Sequence, residues 1–290
     1  MNLRLIKNID RDDGLLRSFD DLARTTFGLS FEPWRAAGWW TDRYRPYALA
    51  EDRQVAASIS VNLMDLVRPD GRIRRLVQLG TVMTDPARRN RGLARRLMEA
   101  VLDDWADRGL YLFANGSVLD FYPKFGFRRQ TEYQHFRPWR GQRRPAGRLR
   151  RLDLSRTAEV ELLRGLYQLG NPWSALASVN NFGLLMFYCG GPLRDRLWYA
   201  EDLGAVLAAA EENGELLCYD AFGRPDVNLT DLLSLAAGPT TTSLALGFTL
   251  REPAGWSTRP LESDDALFRR GPAGELFGTE KLMFPLLSHA

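Results

Sequence analysis

The 290-residue chain has few of the residues on which metal and disulfide chemistry depend: two cysteines, Cys189 and Cys218, and two histidines, His135 and His289. Two cysteines allow at most one disulfide, and no CxxC pair is present. Two isolated histidines without an HExxH motif are too few for a zinc site. We therefore predict that the protein holds no metal and that both cysteines are small core residues.

Long apolar runs are also missing. The longest, such as 205–210, are less than half the roughly 18 residues that a membrane-spanning helix needs. The segment 1–14 turns acidic before the apolar core of a signal peptide could form. We therefore expect a cytoplasmic protein with no membrane partner.

Lysine is scarce, and the positive charge is concentrated in one half of the chain. Residues 1–150 contain 26 Arg and 2 Lys against 18 Asp plus Glu, a net charge of +10, whereas residues 151–290 contain 10 Arg and 1 Lys against 18, a net charge of −7. A basic half is compatible with nucleic acid, a membrane surface or a small anionic ligand such as a nucleotide cofactor. Seven of these arginines lie in 137–151, which we predict to connect two domains. We expect no nucleic-acid partner, because this segment lacks the interleaved aromatic residues of a base-stacking surface.

The chain length predicts two domains, which we place at 1–145 and 146–290. In the first, two segments that alternate like strands flank the turn sequence Arg68-Pro-Asp-Gly71, a pattern typical of an antiparallel hairpin. From Arg91 the apolar residues recur every fourth position, which indicates a helix that ends at a Gly109 cap. A buried strand is predicted next, at 110–114.

The second half has a similar order with weaker patterns. Hairpin, helix and strand follow one another in both halves, so we predict a structural repeat at a spacing of about 140 residues. The predicted elements are helices at 157–169, 173–186 and 228–237, a hairpin at 205–222, and strands at 198–200, 242–248, 266–270 and 281–287.

The stretch 78–97, QLGTVMTDPARRNRGLARRL, carries the strongest indication of a ligand. Gly80 interrupts a strand, which often marks a bulge or a close backbone approach. The helix that follows opens with Gly92 and Ala94, whose small side chains would let a phosphate reach the backbone N–H groups of its first turn. Arg88 and its neighbours add positive charge. The pattern predicts a cradle for a diphosphate, the alternative being a basic helix start without a ligand.

These residues resemble the GCN5-related N-acetyltransferase superfamily. Its cofactor motif, V-x-x-x-P-x-x-[QR]-x-x-G-x-[GA]-x-x-L, is matched by Val82, Pro86, Arg89, Gly92, Ala94 and Leu97. Its second signature, N-x-x-A-x-x-x-Y-x-x-x-G-F, is matched by Asn115, Tyr122, Gly126 and Phe127, with Val118 in place of alanine. The resemblance covers about residues 1–140. It implies the α/β (α+β) acyl-CoA N-acyltransferase fold, a mixed and mostly antiparallel sheet flanked by helices, here in tandem.

The resemblance also implies acetyl-CoA as co-substrate and a primary amine of a small molecule as acceptor, joined by direct attack in a ternary complex. Tyr122 would protonate or hydrogen bond to the departing thiolate, and Asn115 would hold the pantetheine arm or a water. The diphosphate would lie on Arg89, Asn90, Arg91, Gly92, Leu93, Ala94 and Arg95, and the pantetheine arm would pair with the backbone of Val82, Met83 and Thr84.

One position departs from the family. Many members have a glutamate base eleven residues before the [QR] position, where this chain has Gln78. A base must therefore lie elsewhere, act through a water, or be unnecessary because the amine arrives neutral. Some two-domain relatives, the aminoglycoside-modifying survival proteins of mycobacteria, use a C-terminal carboxylate instead, so Ala290 is our candidate base and His289 an alternative, if the C-terminus is not simply a solvated tail. A non-catalytic sensor of CoA is the second hypothesis for the whole protein. A homo-oligomer remains open.

Two further predictions concern the acceptor. The aromatic residues Phe31, Trp34, Trp39 and Trp40 fall in the region that forms the acceptor side of this fold, and either pack in the core or form a wall for an aromatic or sugar-like amine. The second half has no [QR]xxG sequence between its hairpin and helix, and acidic residues such as Asp226 stand there. We therefore predict a degenerate copy of the fold that binds no cofactor and suits a cationic acceptor.

Overall fold

The computed structural model describes residues 2–141, 147–276 and 280–290. Over these residues the chain forms two sheets with helices packed on them. Up to residue 141 the elements are β1 (Arg4–Lys7), α1 (Asp13–Phe27), α2 (Glu32–Ala36), β2 (Tyr44–Glu51), β3 (Gln54–Val67), β4 (Ile73–Thr84), α3 (Leu93–Trp105), β5 (Gly109–Asn115), β6 (Arg128–Gln130) and β7 (Tyr133–Pro138). From residue 147 they are β8 (Leu149–Arg151), α4 (Thr157–Leu169), β9 (Ala177–Val179), α5 (Phe182–Gly190), β10 (Leu197–Ala200), β11 (Ala205–Glu212), β12 (Glu215–Gly223), α6 (Leu229–Ala236), β13 (Ser243–Leu246), β14 (Ser257–Pro260) and β15 (Asp265–Arg270).

Both sheets are mixed and mostly antiparallel, as predicted. The first has the order β1-β2-β3-β4-β5-β15-β6, with β9 beside β3, and the second has the order β14-β7-β13-β12-β11-β10-β8. Each contains one parallel pair, β4 with β5 in the first sheet and β12 with β13 in the second. In both cases a hairpin is followed by a helix and then by the parallel strand, so the same order of elements and the same strand direction occur twice.

The predicted hairpin of β3 and β4 is confirmed, and β4 contains a bulge. Ser60 pairs with Gly80 and Ser58 pairs with Met83, so Thr81 and Val82 together face the single residue between the two serines. Thr81 has a φ of 47°, in the left-handed region that residues with a Cβ rarely adopt. The irregularity expected from Gly80 therefore lies directly after it, and it bends the end of β4.

The two sheets exchange strands. The strand β15, which follows residue 146, lies between β5 and β6 and pairs with both. The strand β7 leaves the first sheet and pairs with β13 and β14 of the second. The predicted connection at 137–151 contributes the end of β7 and all of β8, while residues 142–146 lie outside the described residues. The first sheet therefore contains a strand from after residue 145, and the second sheet contains a strand from before it. A domain boundary at residue 145 stays a prediction.

The helix α3 covers one face of the first sheet with the residues that its sequence spacing predicts. Leu93, Leu97 and Val101 are all buried in one cluster with β2 to β5. The predicted cap at Gly109 is wrong, since α3 ends at Trp105 and Gly109 is the first residue of β5. A glycine is needed there for a different reason: a Cβ at residue 109 would lie 2.5 Å from the backbone nitrogen of Ala273.

Two predictions for the second half are wrong. The segment 173–186 is not one helix, because Asn180, with a φ of 58°, turns the backbone between β9 and α5 and the Asn181 side chain caps α5. The segment 281–287 forms no strand, because its N–H groups bond elsewhere: that of Phe284 donates to the Glu132 carboxylate at 2.8 Å and that of Leu286 donates to the Gly247 carbonyl at 2.8 Å.

The contact between Glu132 and this segment should be visible in the pH dependence of stability. Burial raises the pKa of the Glu132 carboxyl to about 7, against 4.5 without burial. The folded state therefore binds a proton that the unfolded state has lost in this range, and the free energy of unfolding falls as the pH rises from 4.5 to about 7. We expect Glu132→Gln, whose amide oxygen can still accept from Phe284, to remove this component, so that its stability relative to the wild type increases by about 3 kcal/mol across that window.

Urea denaturation of both proteins at pH 5 and pH 7 measures this difference. The buried Asp220, whose pKa burial also raises to about 7, is present in both proteins and cancels in the comparison. A stability difference between the two proteins that is the same at both pH values would contradict the assignment.

Candidate active site

The two parallel strands of the first sheet separate at one end. They pair only from Leu76 with Gly109 to Leu79 with Leu112. Beyond this point β4 continues through its bulge to Thr84. The strand β5 continues to Asn115 and pairs there with β15 alone, along its other edge. The bulge thus leaves a gap between Gly80–Thr84 and Phe113–Asn115, where backbone groups are available to an extended ligand.

A cavity of about 730 Å³ occupies this gap. Its walls come from both halves of the chain, because residues of α5 and the C-terminal residues His289 and Ala290 also line it. From the predicted site residues it includes Val82, Thr84, Ala94, Asn115, Tyr122 and Ala290. Met83 is buried toward α1 instead, since neighbours along a strand point to opposite faces.

The helix α3 begins beside the cavity in the conformation that a diphosphate cradle needs. Asn90 and Gly92 both have positive φ, 60° and 72°. Gly92 is the N-cap of α3 and offers no side chain to its first turn. A Cβ built on Gly92 would have no atom within 4 Å, so the space in front of it is open. Of the predicted cradle residues only Ala94 lines the cavity, and the other six do not: Arg89, Asn90, Arg91, Gly92, Leu93 and Arg95.

Two of the arginines near the cradle already have partners. Arg88 lies 3.7 Å from Glu51 and 3.6 Å from Asp85. Arg95 lies 3.6 Å from Glu99 and stacks over the Phe125 ring at 5.1 Å. Part of the positive charge expected at the cradle is therefore balanced within the chain.

Tyr122 lies at the opposite side of the gap from β4, on the short helix Tyr122–Phe125. Its ring is buried against Phe127 and Phe268, and it lines the cavity. Burial, helped by the negative charge of Asp265, raises the pKa of its phenol to about 12. The phenol therefore keeps its proton at neutral pH, as a proton donor must.

The Asn115 side chain is partly committed to the protein. Its Oδ1 accepts hydrogen bonds from the Ser117 backbone N–H at 3.1 Å and from the Ser117 hydroxyl at 2.6 Å. This fixes the turn that leads to Tyr122. The amide NH₂ of Asn115 remains as the group that could donate to a ligand in the cavity.

The last residue of the sequence lies in the cavity. The Gln78 amide donates to the Ala290 oxygen at 3.2 Å, and the Tyr188 hydroxyl donates to the His289 carbonyl. Gly80 makes this position accessible, because a Cβ there would overlap the Ala290 oxygen and lie 2.7 Å from its carbonyl carbon. The close approach expected at Gly80 is therefore made by residue 290.

His289 is poorly suited to take up a proton. Its imidazole stacks on Phe113 with ring centroids 3.6 Å apart, and its Nε2 is buried without a hydrogen-bond partner among the described residues. Burial lowers the pKa of the imidazole to about 3. Gln78 and Tyr188, which hold the end of the chain, were not predicted as site residues. In the sequence, Gln78 was noted only because it stands where many family members have a glutamate base. No sequence pattern indicated Tyr188.

Residues 11–129 match the family described as acetyltransferase (GNAT) domain. This match covers less than half of the chain. Solved structures show the same acyl-CoA N-acyltransferase fold over most of the chain.

Among them are a probable N-acyltransferase of Enterococcus faecalis (15% identity, 93% of this chain and 73% of the other, TM-score 0.62) and a GCN5-related N-acetyltransferase of Kribbella flavida (15% identity, 94% and 73%, TM-score 0.58). Eis1 from Mycobacterium abscessus is similar to the same extent (15% identity, 91% and 73%, TM-score 0.56). The chain matches none of the curated proteins.

The four aromatic residues predicted on the acceptor side of the GNAT domain divide into two groups. Phe31 and Trp34 line the cavity. Trp40 packs behind them against Tyr44, with ring centroids 4.6 Å apart, and Trp39 packs on Phe182 of α5, at 5.7 Å. Phe31 and Trp34 are buried in the core and also line the cavity, whereas Trp39 and Trp40 are partly buried beside that core. Core packing is therefore confirmed for Phe31 and Trp34, and a wall for the acceptor stays a prediction.

In the second sheet, both the start of α6 and the end of the β12–β13 pair make hydrogen bonds within the chain. The Asn228 side chain caps α6, accepting from the N–H groups of Thr230 at 2.8 Å and Asp231 at 3.3 Å. Just beyond the last pair of β12 and β13, the Gly247 carbonyl accepts from Leu286. A phosphate at the start of α6 would meet a carboxamide and the negative charge of Asp231.

Other features expected of the chain can be checked over the described residues. Within them no group of three or more His, Cys, Asp or Glu side chains is placed to hold a metal ion. Cys189 and Cys218 are both buried and free. No helix in the described ranges is long and apolar enough to cross a membrane.

Proposed function

We propose that the chain transfers an acetyl group from acetyl-CoA to a primary amine of a small molecule, in a ternary complex and by direct attack. The observation that carries this proposal is the gap between β4 and β5, whose cavity is lined by Ala94 of the first turn of α3, by Tyr122 and by Ala290. A long ligand with a phosphate end and a reactive end fits such a site.

The residues present fit coenzyme A. We assign the diphosphate to the backbone of Arg89–Ala94, where Gly92 leaves open space, with Arg95 at the first turn of α3. The pantetheine arm would extend along Val82, Met83 and Thr84, whose backbone edge no strand occupies. The Asn115 amide would donate to a carbonyl of the arm. Acetyl-CoA supplies the activated acyl group.

The chemistry then needs one proton acceptor and one proton donor. The amine nitrogen attacks the thioester carbon, the C–S bond breaks, and the acyl group ends on nitrogen. We assign the removal of the amine proton to the carboxylate of Ala290, which Gln78 orients through its amide N–H. The departing sulfur takes its proton from Tyr122, whose phenol is protonated at neutral pH. His289, with its pKa near 3, takes no part in proton transfer.

We further propose that the second half is a degenerate copy of the GNAT fold. The repeated order of hairpin, helix and parallel strand supports this, and the capped start of α6 explains why it would bind no CoA. Its contribution to the site is structural: α5 supplies Leu184, Phe187 and Tyr188 to the cavity, and β15 completes the sheet beside β5.

A binding and turnover experiment tests the proposal. We expect acetyl-CoA to release free thiol only when a primary amine is added, and Gly92→Glu to abolish CoA binding by isothermal titration because a carboxylate would stand in the phosphate position. Gly92→Ala is the matched control, since it shares the cost of a Cβ at positive φ, about 1–2 kcal/mol, without the added charge. CoA binding by the wild type without thiol release across chemically diverse amines would favour the sensor hypothesis, and retained binding in Gly92→Glu would contradict the cradle.

A further inference from the structure

The acceptor end of the cavity is built from apolar side chains. Three aromatic rings, those of Phe31, Trp34 and Phe187, lie against one another with centroids 5.7–6.3 Å apart. Around them stand Phe27, Leu29 and Leu184. Two elements from different halves, α2 and α5, meet at this wall, so neither half forms it alone.

The polar atoms of Trp34, Tyr44 and Tyr188 are paired within the protein, while the Trp40 Nε1–H and the Gln78 Oε1 are buried without a partner among the described residues. The Trp34 Nε1–H donates to the Gly183 carbonyl at 2.7 Å. The Tyr44 hydroxyl bonds to Thr81 at 2.7 Å and to Ser60 at 3.0 Å. The Tyr188 hydroxyl donates to His289. An acceptor molecule would therefore find few free hydrogen-bonding groups on this side.

The charged side chains of the cavity stand elsewhere. Asp265 pairs in register with Asn115 at the end of β5, and Asp120 and Lys124 flank Tyr122 in the sequence. These residues are on the side assigned to the thioester. Of the charged groups that line the cavity, the carboxylate of Ala290 is the one that we assign to meet the incoming amine.

A cavity lined in this way favours an acceptor with a large apolar part over one with several charged groups. A flat apolar group would exchange water for contact with the aromatic and aliphatic side chains that line the cavity. A sugar or a polyamine would lose hydration from several hydroxyl or ammonium groups without gaining partners, which costs affinity for each group buried. We infer that the acceptor is a primary amine with a single positive charge and an aromatic body, an arylalkylamine in chemical class. The inference rests on the proposed function.

Matched amines test it on the full chain. With acetyl-CoA, we expect kcat/KM for 2-phenylethylamine to exceed that for ethylamine by about 10- to 100-fold, the gain expected from burying one phenyl ring. Spermidine and kanamycin should be poorer than 2-phenylethylamine. Turnover of ethylamine, spermidine or kanamycin with an equal or higher kcat/KM would overturn the inference and leave the proposed function standing.

A substitution pair on α5 locates the effect. Phe187→Ala should reduce the ratio of kcat/KM for 2-phenylethylamine to that for ethylamine by about 10-fold, and Phe187→Leu should recover part of this ratio. Phe182→Ala is the control, because Phe182 is on the same helix but packs on Trp39 and Tyr167. Melting temperatures of the three variants separate a change of the wall from a loss of fold, and an equal effect of Phe182→Ala and Phe187→Ala would contradict the assignment of the wall.

Binding gives a readout that does not depend on turnover. Isothermal titration of the CoA-bound protein should give a Kd for 2-phenylethylamine at least about 10-fold below that for ethylamine. Selective binding without thiol release would refute the acetyl transfer and retain the ligand class. If 2-phenylethylamine were neither acetylated nor bound selectively, both the acetyl transfer and the ligand class would be refuted.

Discussion

Tyr122→Phe is expected to lower kcat by about 10²- to 10⁴-fold, the range typical of losing a general acid, while CoA binds as tightly as before. The substitution removes only the hydroxyl, and the ring keeps its contacts with Phe127 and Phe268. The raised pKa of the phenol means that a proton is available at neutral pH for the thiolate. Without it the sulfur must leave as an anion or take its proton from water.

Steady-state release of free thiol and titration with CoA measure the two quantities separately. Tyr133→Phe is a suitable control, because Tyr133 lies on β7 and is not among the residues of the cavity. If kcat of Tyr122→Phe stayed within about 3-fold of the wild type, Tyr122 would not be the acid.

The second large effect concerns the position of the C-terminal residues. Gly80→Ala should lower kcat by about 10²-fold, because the added Cβ would occupy the place of the Ala290 oxygen and displace the carboxylate that we propose as base. Both clashing atoms belong to the backbone of residue 290, so a change of rotamer cannot relieve the contact. Deleting residues 289–290 should have an effect of similar size.

Combining the two changes distinguishes displacement of the carboxylate from damage to the CoA site. If Gly80→Ala acts through residue 290, it should cause little further loss in the shortened chain, a non-additivity that reports a shared mechanism. If the loss of kcat in the combined variant equalled the product of the two single losses, Gly80 would act on the path of the pantetheine arm instead. CoA titration of the four proteins provides the corresponding binding data.

The first half of the fold was predictable because its signals are local. The apolar period of α3, the Arg68–Gly71 turn and the two family signatures all lie within short stretches, and each is confirmed in the structure as an element or a turn. The bulge after Gly80 could be expected for the same reason, since one glycine interrupts a run of strand residues.

The exchange of β7 and β15 could not be predicted from such patterns. The strand predicted at 266–270 corresponds to β15, but a strand pattern does not indicate which of two sheets a segment joins. The wrong prediction of a strand at 281–287 has a related cause, since its bonding partners, Glu132 and Thr249, come from distant parts of the sequence. The position of Ala290 depends on that segment, so the sequence could only name it as a candidate.

The exchanged strand also bears on how the protein is made. Asp265 of β15 pairs with Asn115, 150 residues earlier in the chain, and β6 reaches the first sheet only through β15. During synthesis from the N-terminus, the GNAT domain therefore exposes an open edge at β5 until residue 270 has left the ribosome. Such late, long-range pairing slows folding and exposes a strand edge to other chains. The acetyltransferase domain is complete only when the second half has been made.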